Sequence, residues 1–544
     1  MYVGWQDYGR LQTQLVIMNI ETWWLHWPWL APLLYAGAAA LVLVMPQRPT
    51  RCWRIARAAT AAALPMGALA ALERMLWADV PALPLPSALM LSLLGVLGWV
   101  VARFSATYLQ GEPNQAGYAA RLLATLAAIA VVVLADALPL LVAGWAAVSL
   151  SLHGLLTFYP QRRAAQVAAH KKFIASRAAE LALLGGVLLV GGASGQWTVS
   201  GLSTWLATHP APWTVQAGAV LLVLGVLLKS AQMPVHGWLL QVMEAPTPVS
   251  ALLHAGVVNL GGFVLIGLAP LLAQSPAAQG LLIAVGGGTA LLASFTLLTR
   301  VSIKVRLAWS TCAQMGFMLL EIGLGLYELA LMHLIGHSIY KAHAFLAAGD
   351  TARQTTAAFL NANGLGSRAA SGWTPWLAAA GSMALVAASL HAVQAIGAAP
   401  ALPAGWALVL GLAWASLLAL DARRHPRSLL RAAATVVGLT LLYLLLHGVF
   451  GLGVNAAPPP WAGWAVAAAM GLAYAAQTVL ARRPSDAAWQ FAYAGLYLDE
   501  WFTRLSFRLW PAPPLHPAGR PQGIAPFESA WTPASPTHTP GADA

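Results

Sequence analysis

The chain has 544 residues, 59% of them hydrophobic and only 8% charged, with a formal net charge of +12. Ordinary soluble domains carry roughly 25% charged residues, so this composition excludes a large soluble domain and indicates a polytopic membrane protein. The basic residues sit in short loops between apolar runs, which argues against nucleic-acid binding; the two cysteines, Cys52 and Cys312, lie too far apart for a CxxC pair and argue against a disulfide framework or a cysteine zinc site.

Residues 1–28 are mixed and tryptophan-rich, an interfacial lead-in by composition. A cleavable signal peptide is not expected, because the first long apolar run begins near Leu30 without a basic flank before it. Apolar runs of the length a helix needs to span then recur near 29–46, 58–78, 86–103, 117–135, 137–158, 173–193, 213–230, 247–272, 279–299, 303–324, 328–349, 374–394, 403–420, 430–450 and 460–481. This predicts an all-α polytopic membrane protein with about 14–15 transmembrane helices.

The loops supply an independent check. Arg48, Arg51, Arg54 and Arg57 separate the first two runs, and Arg162, Arg163, Lys171 and Lys172 follow the fifth. Arg300, Lys304 and Arg306 follow the ninth, Arg423, Arg424 and Arg427 the thirteenth, and Arg482 and Arg483 the last. The loops at 194–212, 273–278, 395–402 and 451–459 carry no lysine, arginine, aspartate or glutamate. Basic connections thus alternate with uncharged ones, which places the N-terminus outside and the C-terminus in the cytoplasm of the inner membrane.

The stretch from Leu227 to Ile266 is where chemistry is expected. An apolar run carries Lys229 and breaks at Pro234, a polar connection holds Glu244, Pro246 and Pro248, and a second apolar helix carries His254. Proline removes a backbone donor, so carbonyls near Ser230 are expected to be free, which in hydrocarbon requires protein or water to satisfy them. A lysine beside a broken helix, followed by an intramembrane histidine, suggests a hydrated ion path. The alternative is a lysine snorkelling to the interface and a histidine bonded to a carbonyl.

A second cluster lies between Glu328 and Asp350, where His333, His337 and Lys341 stand at i, i+4 and i+8 on one helix face. They span about 12 Å, so proton passage would need bridging waters. Two histidines four apart could bind a metal, but no third ligand stands at a suitable spacing and Lys341 would repel a cation, so no metal site is assigned. Imidazole exchanges protons near neutral pH, which fits a relay; histidines packed structurally between helices are the competing reading.

Lys229, the AQMPVHGWL break, EAPTPVSALLHA and the HxxxHxxxK helix resemble the antiporter-like subunits of respiratory complex I and of multisubunit cation/proton antiporters, over roughly residues 90 to 450. That resemblance implies two inverted repeats with broken helices, 117–272 and 273–421, between N-terminal helices at 29–116 and C-terminal helices at 422–484. An amphipathic segment at 485–511 and a proline-rich tail at 512–544, expected to be disordered, complete the chain. It also implies that Lys229 is the central lysine of the first half, His254 the connecting site, and His333, His337 and Lys341 the second-half relay. The family's Trp-Glu on its fifth helix is here Trp145-Ala146, so the lysine's carboxylate partner is missing, and Glu180 is the candidate to replace it. Where the second half carries a lysine on its broken twelfth helix, this chain offers only His391, and no long transverse helix follows.

The wording GWAAVSLSLHGLLTFYP, AAHKKFIASR and GLYLDEWFTRLSFRLWP is similar to the DabB membrane subunits of inorganic-carbon pumps. That resemblance implies a cytoplasmic partner, DabA, which resembles a zinc β-carbonic anhydrase, so zinc is expected in the partner and no cofactor in this chain. It implies that the chain conducts a cation, H+ or Na+, to drive vectorial CO2 hydration and bicarbonate accumulation. A proton-translocating subunit of a complex I-like or Mrp-type assembly, and a scaffold whose ion path has decayed, are the alternatives.

Overall fold

The computed structural model describes residues 27–45, 48–76, 83–351, 374–396, 404–421, 426–450, 460–482 and 486–510. Most of the lead-in, the tail at 512–544 and the connections at 397–403 and 451–459 lie outside the described residues.

Among the described residues the regular structure is helical, apart from one isolated bridge between Ala137 and Thr198. The chain runs α1 (Leu30–Val44), α2 (Pro49–Ala63), α3 (Met66–Leu76), α4 (Leu85–Tyr108), α5 (Gln115–Leu134), α6 (Leu138–Leu156) and α7 (Arg163–Ser194). It continues through α8 (Val199–Thr208), α9 (Trp213–Lys229), α10 (Gly237–Gln241), α11 (Thr247–Gly267), α12 (Ala269–Ala273), α13 (Pro276–Leu297), α14 (Ile303–Gly323) and α15 (Tyr327–Leu346). Then come α16 (Thr374–Ala395), α17 (Ala404–Asp421), α18 (Pro426–Phe450), α19 (Pro460–Arg482), α20 (Asp486–Tyr493) and α21 (Glu500–Leu509).

A helix or helix pair occupies every predicted run, and α2 and α3 form one span interrupted at Leu64 and Pro65. Among the described residues, ten helices are long and apolar enough by themselves to cross a membrane, so this is a multi-pass membrane protein. Helices α14 and α15 fall outside that set because they carry Lys304, Arg306 and Glu321, and Glu328 and Lys341. Their polar groups are the reason they matter.

The span Thr247–Gly267 is buried from Thr247 to Ile266 and packs against α4 and α15. Helices α13 and α14 pack closely because Gly286 faces Gly316: a Cβ on Gly286 would sit 2.7 Å from the Gly316 carbonyl oxygen, and one on Gly316 would sit 2.6 Å from that of Gly286. Small residues allow such approach where apolar lipid gives little driving force for association.

Candidate functional site

Helix α9 ends at Lys229, and the backbone turns at Ala231, whose φ is 51°. The carbonyls near Ser230 are not left free as expected. Gln232 N donates to Leu227 O at 3.2 Å, and the Gln232 side-chain amide donates to Ser230 O at 2.9 Å. Thr289 Oγ1 accepts from Met233 N at 3.1 Å. Side chains therefore repair the break that Pro234 imposes, as buried backbone groups require.

Lys229 does not snorkel. Its Nζ lies 2.7 Å from Glu180 Oε1, donates to Ser149 Oγ at 2.7 Å and to Trp145 O at 3.3 Å. Glu180 thus takes the place of the carboxylate missing at Ala146, reaching the lysine from α7 instead of α6. Arg177 pairs with the same carboxylate at 2.8 Å. Lys172, also buried, donates to Ser149 O at 2.8 Å. Sequence reading missed Arg177, Lys172 and Ser149; the signal was a run of basic residues, HKKFIASRAAE, continuing into a spanning helix.

His254 lies in a single π turn, Leu253–Val257, fully buried and stacked on Phe345 at 4.4 Å between ring centroids. The wide turn is of the kind frequent at functional sites. Neither nitrogen of His254 has a protein hydrogen-bond partner, and the same is true of His337 and His236. Asn259 links α11 to α15, donating from Nδ2 to Ser338 Oγ at 2.6 Å. An amide inside the run GVVNLGGF was the sequence signal for it.

On α15 the three expected groups share a face. Lys341 is fully buried, and its Nζ donates to Leu307 O at 3.0 Å and to Ser310 Oγ. The His333 and His337 rings stand 6.2 Å apart. His333 Nδ1 lies 3.0 Å from Glu321 Oε2, and Nε2 lies 2.7 Å from Gln314 Oε1. Glu321 was not singled out from the sequence, where it reads as the end of an apolar run.

One expectation is corrected. His391 stands exposed on α16 and does not join the buried groups, because the register of that helix turns it outward. Glu244 lies in the connection, with its side chain 3.9 Å from that of Arg162 and 47% exposed. Pro246 and Pro248 open α11, where a missing N–H costs nothing. Among the described residues no group of three or more His, Cys, Asp or Glu side chains is placed to hold a metal ion.

The C-terminal segment is pinned rather than merely laid on the surface. Lys171, fully buried, pairs with Asp499 at 2.6 Å and donates to Thr503 at 2.8 Å, holding α21 against α7. His170 stacks on Trp510 at 3.9 Å.

Residues 135–394 match the family described as NADH:quinone oxidoreductase/Mrp antiporter, TM, the stretch that contains Lys229, His254 and Lys341. The chain is 40% identical over 450 residues to the "Probable inorganic carbon transporter subunit DabB" of Hydrogenovibrio crunogenus, covering 78% of this chain and 82% of that protein. The chain belongs to the DabB family. A second DabB, subunit DabB2 of Halothiobacillus neapolitanus, is 39% identical over 76% of this chain and 77% of its own length. NADH-quinone oxidoreductase subunit L of Mycobacterium tuberculosis is 32% identical over 60% of this chain and 55% of its own. Among solved structures, the Mrp complex from Dietzia sp. matches 89% of this chain and 55% of that chain, with a TM-score of 0.53 and 22% identity. The DabB family thus shares the antiporter-like fold.

Proposed function

We propose that this chain is the membrane subunit of an energy-coupled inorganic-carbon transporter, and that it conducts a cation, in our reading H+, whose descent drives bicarbonate accumulation. The supporting observation is the pairing of buried Lys229 with the partly buried Glu180 beside a repaired helix break, with His254, His337 and Lys341 also buried. Ionisable groups at this depth are costly, and a scaffold would gain nothing from keeping them.

In this reading the chain lies in the inner membrane with its basic loops, and its C-terminus, in the cytoplasm. Glu180 holds the ammonium of Lys229, and Arg177, which pairs with the same carboxylate, places a like charge nearby. His254 and the Asn259–Ser338 bridge connect this pair with His337 and Lys341. A charge descending about 150 mV releases roughly 3.5 kcal/mol, enough for several-hundred-fold accumulation when fully coupled.

The relatives' names, and the resemblance stated above, imply a DabA-like partner. We infer that this partner carries zinc and carbonic-anhydrase-like chemistry on the cytoplasmic side, while this chain supplies the ion path and the anchor.

Gentle detergent purification of the tagged chain, with mass spectrometry and zinc analysis of what accompanies it, tests this reading. A stoichiometric, large, zinc-containing soluble protein is expected. Membrane subunits of a respiratory or antiporter complex in its place would contradict it.

A further inference from the structure

Glu321 faces a small cavity of about 60 Å³ that Phe317, Leu390, Leu410, Ala413 and Tyr443 also line. A cavity of that size has room for a few water molecules. Glu321 itself is only 3% exposed, whereas Ala413, midway along α17, also lines the cavity and is exposed.

Most of the cavity lining lies in one half of its helices. Glu321 is close to the end of α14, Leu390 close to the end of α16, Leu410 close to the start of α17 and Tyr443 in the last turns of α18. The opposite ends of α14 and α18 carry Lys304, Arg306 and Arg427. With the basic ends in the cytoplasm, the cavity opens in the outer half of the membrane. Lys341 sits towards the basic end, bonded to Leu307 and Ser310 in the first turns of α14. Glu321, His333, His337 and Lys341 therefore form a line from the outer half towards the inner.

His333 sits between two oxygens, with Nδ1 3.0 Å from Glu321 Oε2 and Nε2 2.7 Å from Gln314 Oε1. An imidazole in contact with a carboxylate can take up a proton at one nitrogen and pass one on from the other. Sodium would require a shell of oxygens, and the cavity offers one carboxylate and a phenol among apolar side chains.

We propose that this cavity is the outer mouth of the second-half path, and that Glu321 is its first proton acceptor, taking a proton from cavity water and sharing it with His333. Water loses the proton and is left as hydroxide, or hydronium is left as water; Glu321 and His333 gain one positive charge between them. Release of that proton from His333 towards His337 resets the pair. The proposal rests on the ion-path reading above and adds where, and on what, the ion enters.

The test is uptake of labelled inorganic carbon by cells making the whole complex, with the chain's abundance in membranes measured for each variant. Glu321→Gln should lower uptake roughly tenfold or more, while Glu321→Asp keeps it within about threefold. Ala413→Trp, at an exposed lining position and touching neither Glu321 nor His333 in the bonds described, should lower uptake about as much as Glu321→Gln at unchanged abundance. Near-normal uptake in Glu321→Gln and Ala413→Trp, with Lys341→Ala inactive, would overturn the outer mouth and leave the ion path standing. Near-normal uptake in Lys229→Ala and Lys341→Ala as well would overturn both.

Discussion

Glu180 Oε1 stands 2.7 Å from Lys229 Nζ, although 49 residues separate the two along the chain. The pair joins α7 to α9 and restores the counter-charge that Ala146 removes from α6. Truncating one member of a buried ion pair typically costs about 3–5 kcal/mol, because the other charge remains buried and unpaired. Glu180→Gln should therefore lower both the thermal stability of the purified chain and its transport. Adding Ala146→Glu to that variant should recover part of each, which paired melting and uptake measurements will check.

His254 separates a relay from a packing role. It stacks on Phe345 without a protein partner for either nitrogen. His254→Phe keeps a ring in that space and removes both nitrogens. Near-wild-type stability with uptake lowered roughly a hundredfold is expected, the range that positioned acid–base groups supply. Unchanged uptake in His254→Phe would make the histidine a packing residue.

Asp499 packs directly on Gly237, where an added Cβ would lie 1.7 Å from the Asp499 carboxylate. Gly237→Ala should therefore push Asp499 off α10 and weaken its bond to Lys171. Faster tryptic cleavage at Arg504 and Arg508 is expected, with Asp499→Asn giving the same result from the other side. Equal cleavage rates in wild type and Gly237→Ala would mean that α21 is held by other contacts.

The close approach of Gly286 and Gly316 predicts a folding defect rather than a transport defect. A β-branched side chain at Gly286 meets backbone on both sides of the contact and cannot be relieved by a rotamer change. Gly286→Val should reduce the amount of chain recovered from membranes several-fold. Fluorescence size-exclusion chromatography of a tagged chain provides the readout.

Much of this architecture was legible because hydrocarbon imposes length, and the apolar runs of the sequence match helices from Leu30 onward. Lys229, His254, His337 and Lys341 were legible for the converse reason: titratable groups in such runs stand out. Helical periodicity correctly grouped His333, His337 and Lys341. Partners across helices were not legible. Glu321 reaches His333 across the α14–α15 turn, and Asp499 reaches Lys171 over 328 residues, pairings that tertiary packing alone defines. His391 misled because a histidine in an apolar run shows that a group is costly in lipid, not which way its helix turns.

The central claim is that ions passing through Lys229 drive accumulation of inorganic carbon. The direct measurement is labelled inorganic-carbon uptake in a host lacking its own uptake systems, comparing the wild-type complex, Lys229→Ala and the wild type treated with a protonophore. Accumulation above the external level should occur only in the untreated wild type, with Lys229→Ala still co-purifying its partner in normal amount. Full accumulation by an assembled Lys229→Ala complex would contradict the account.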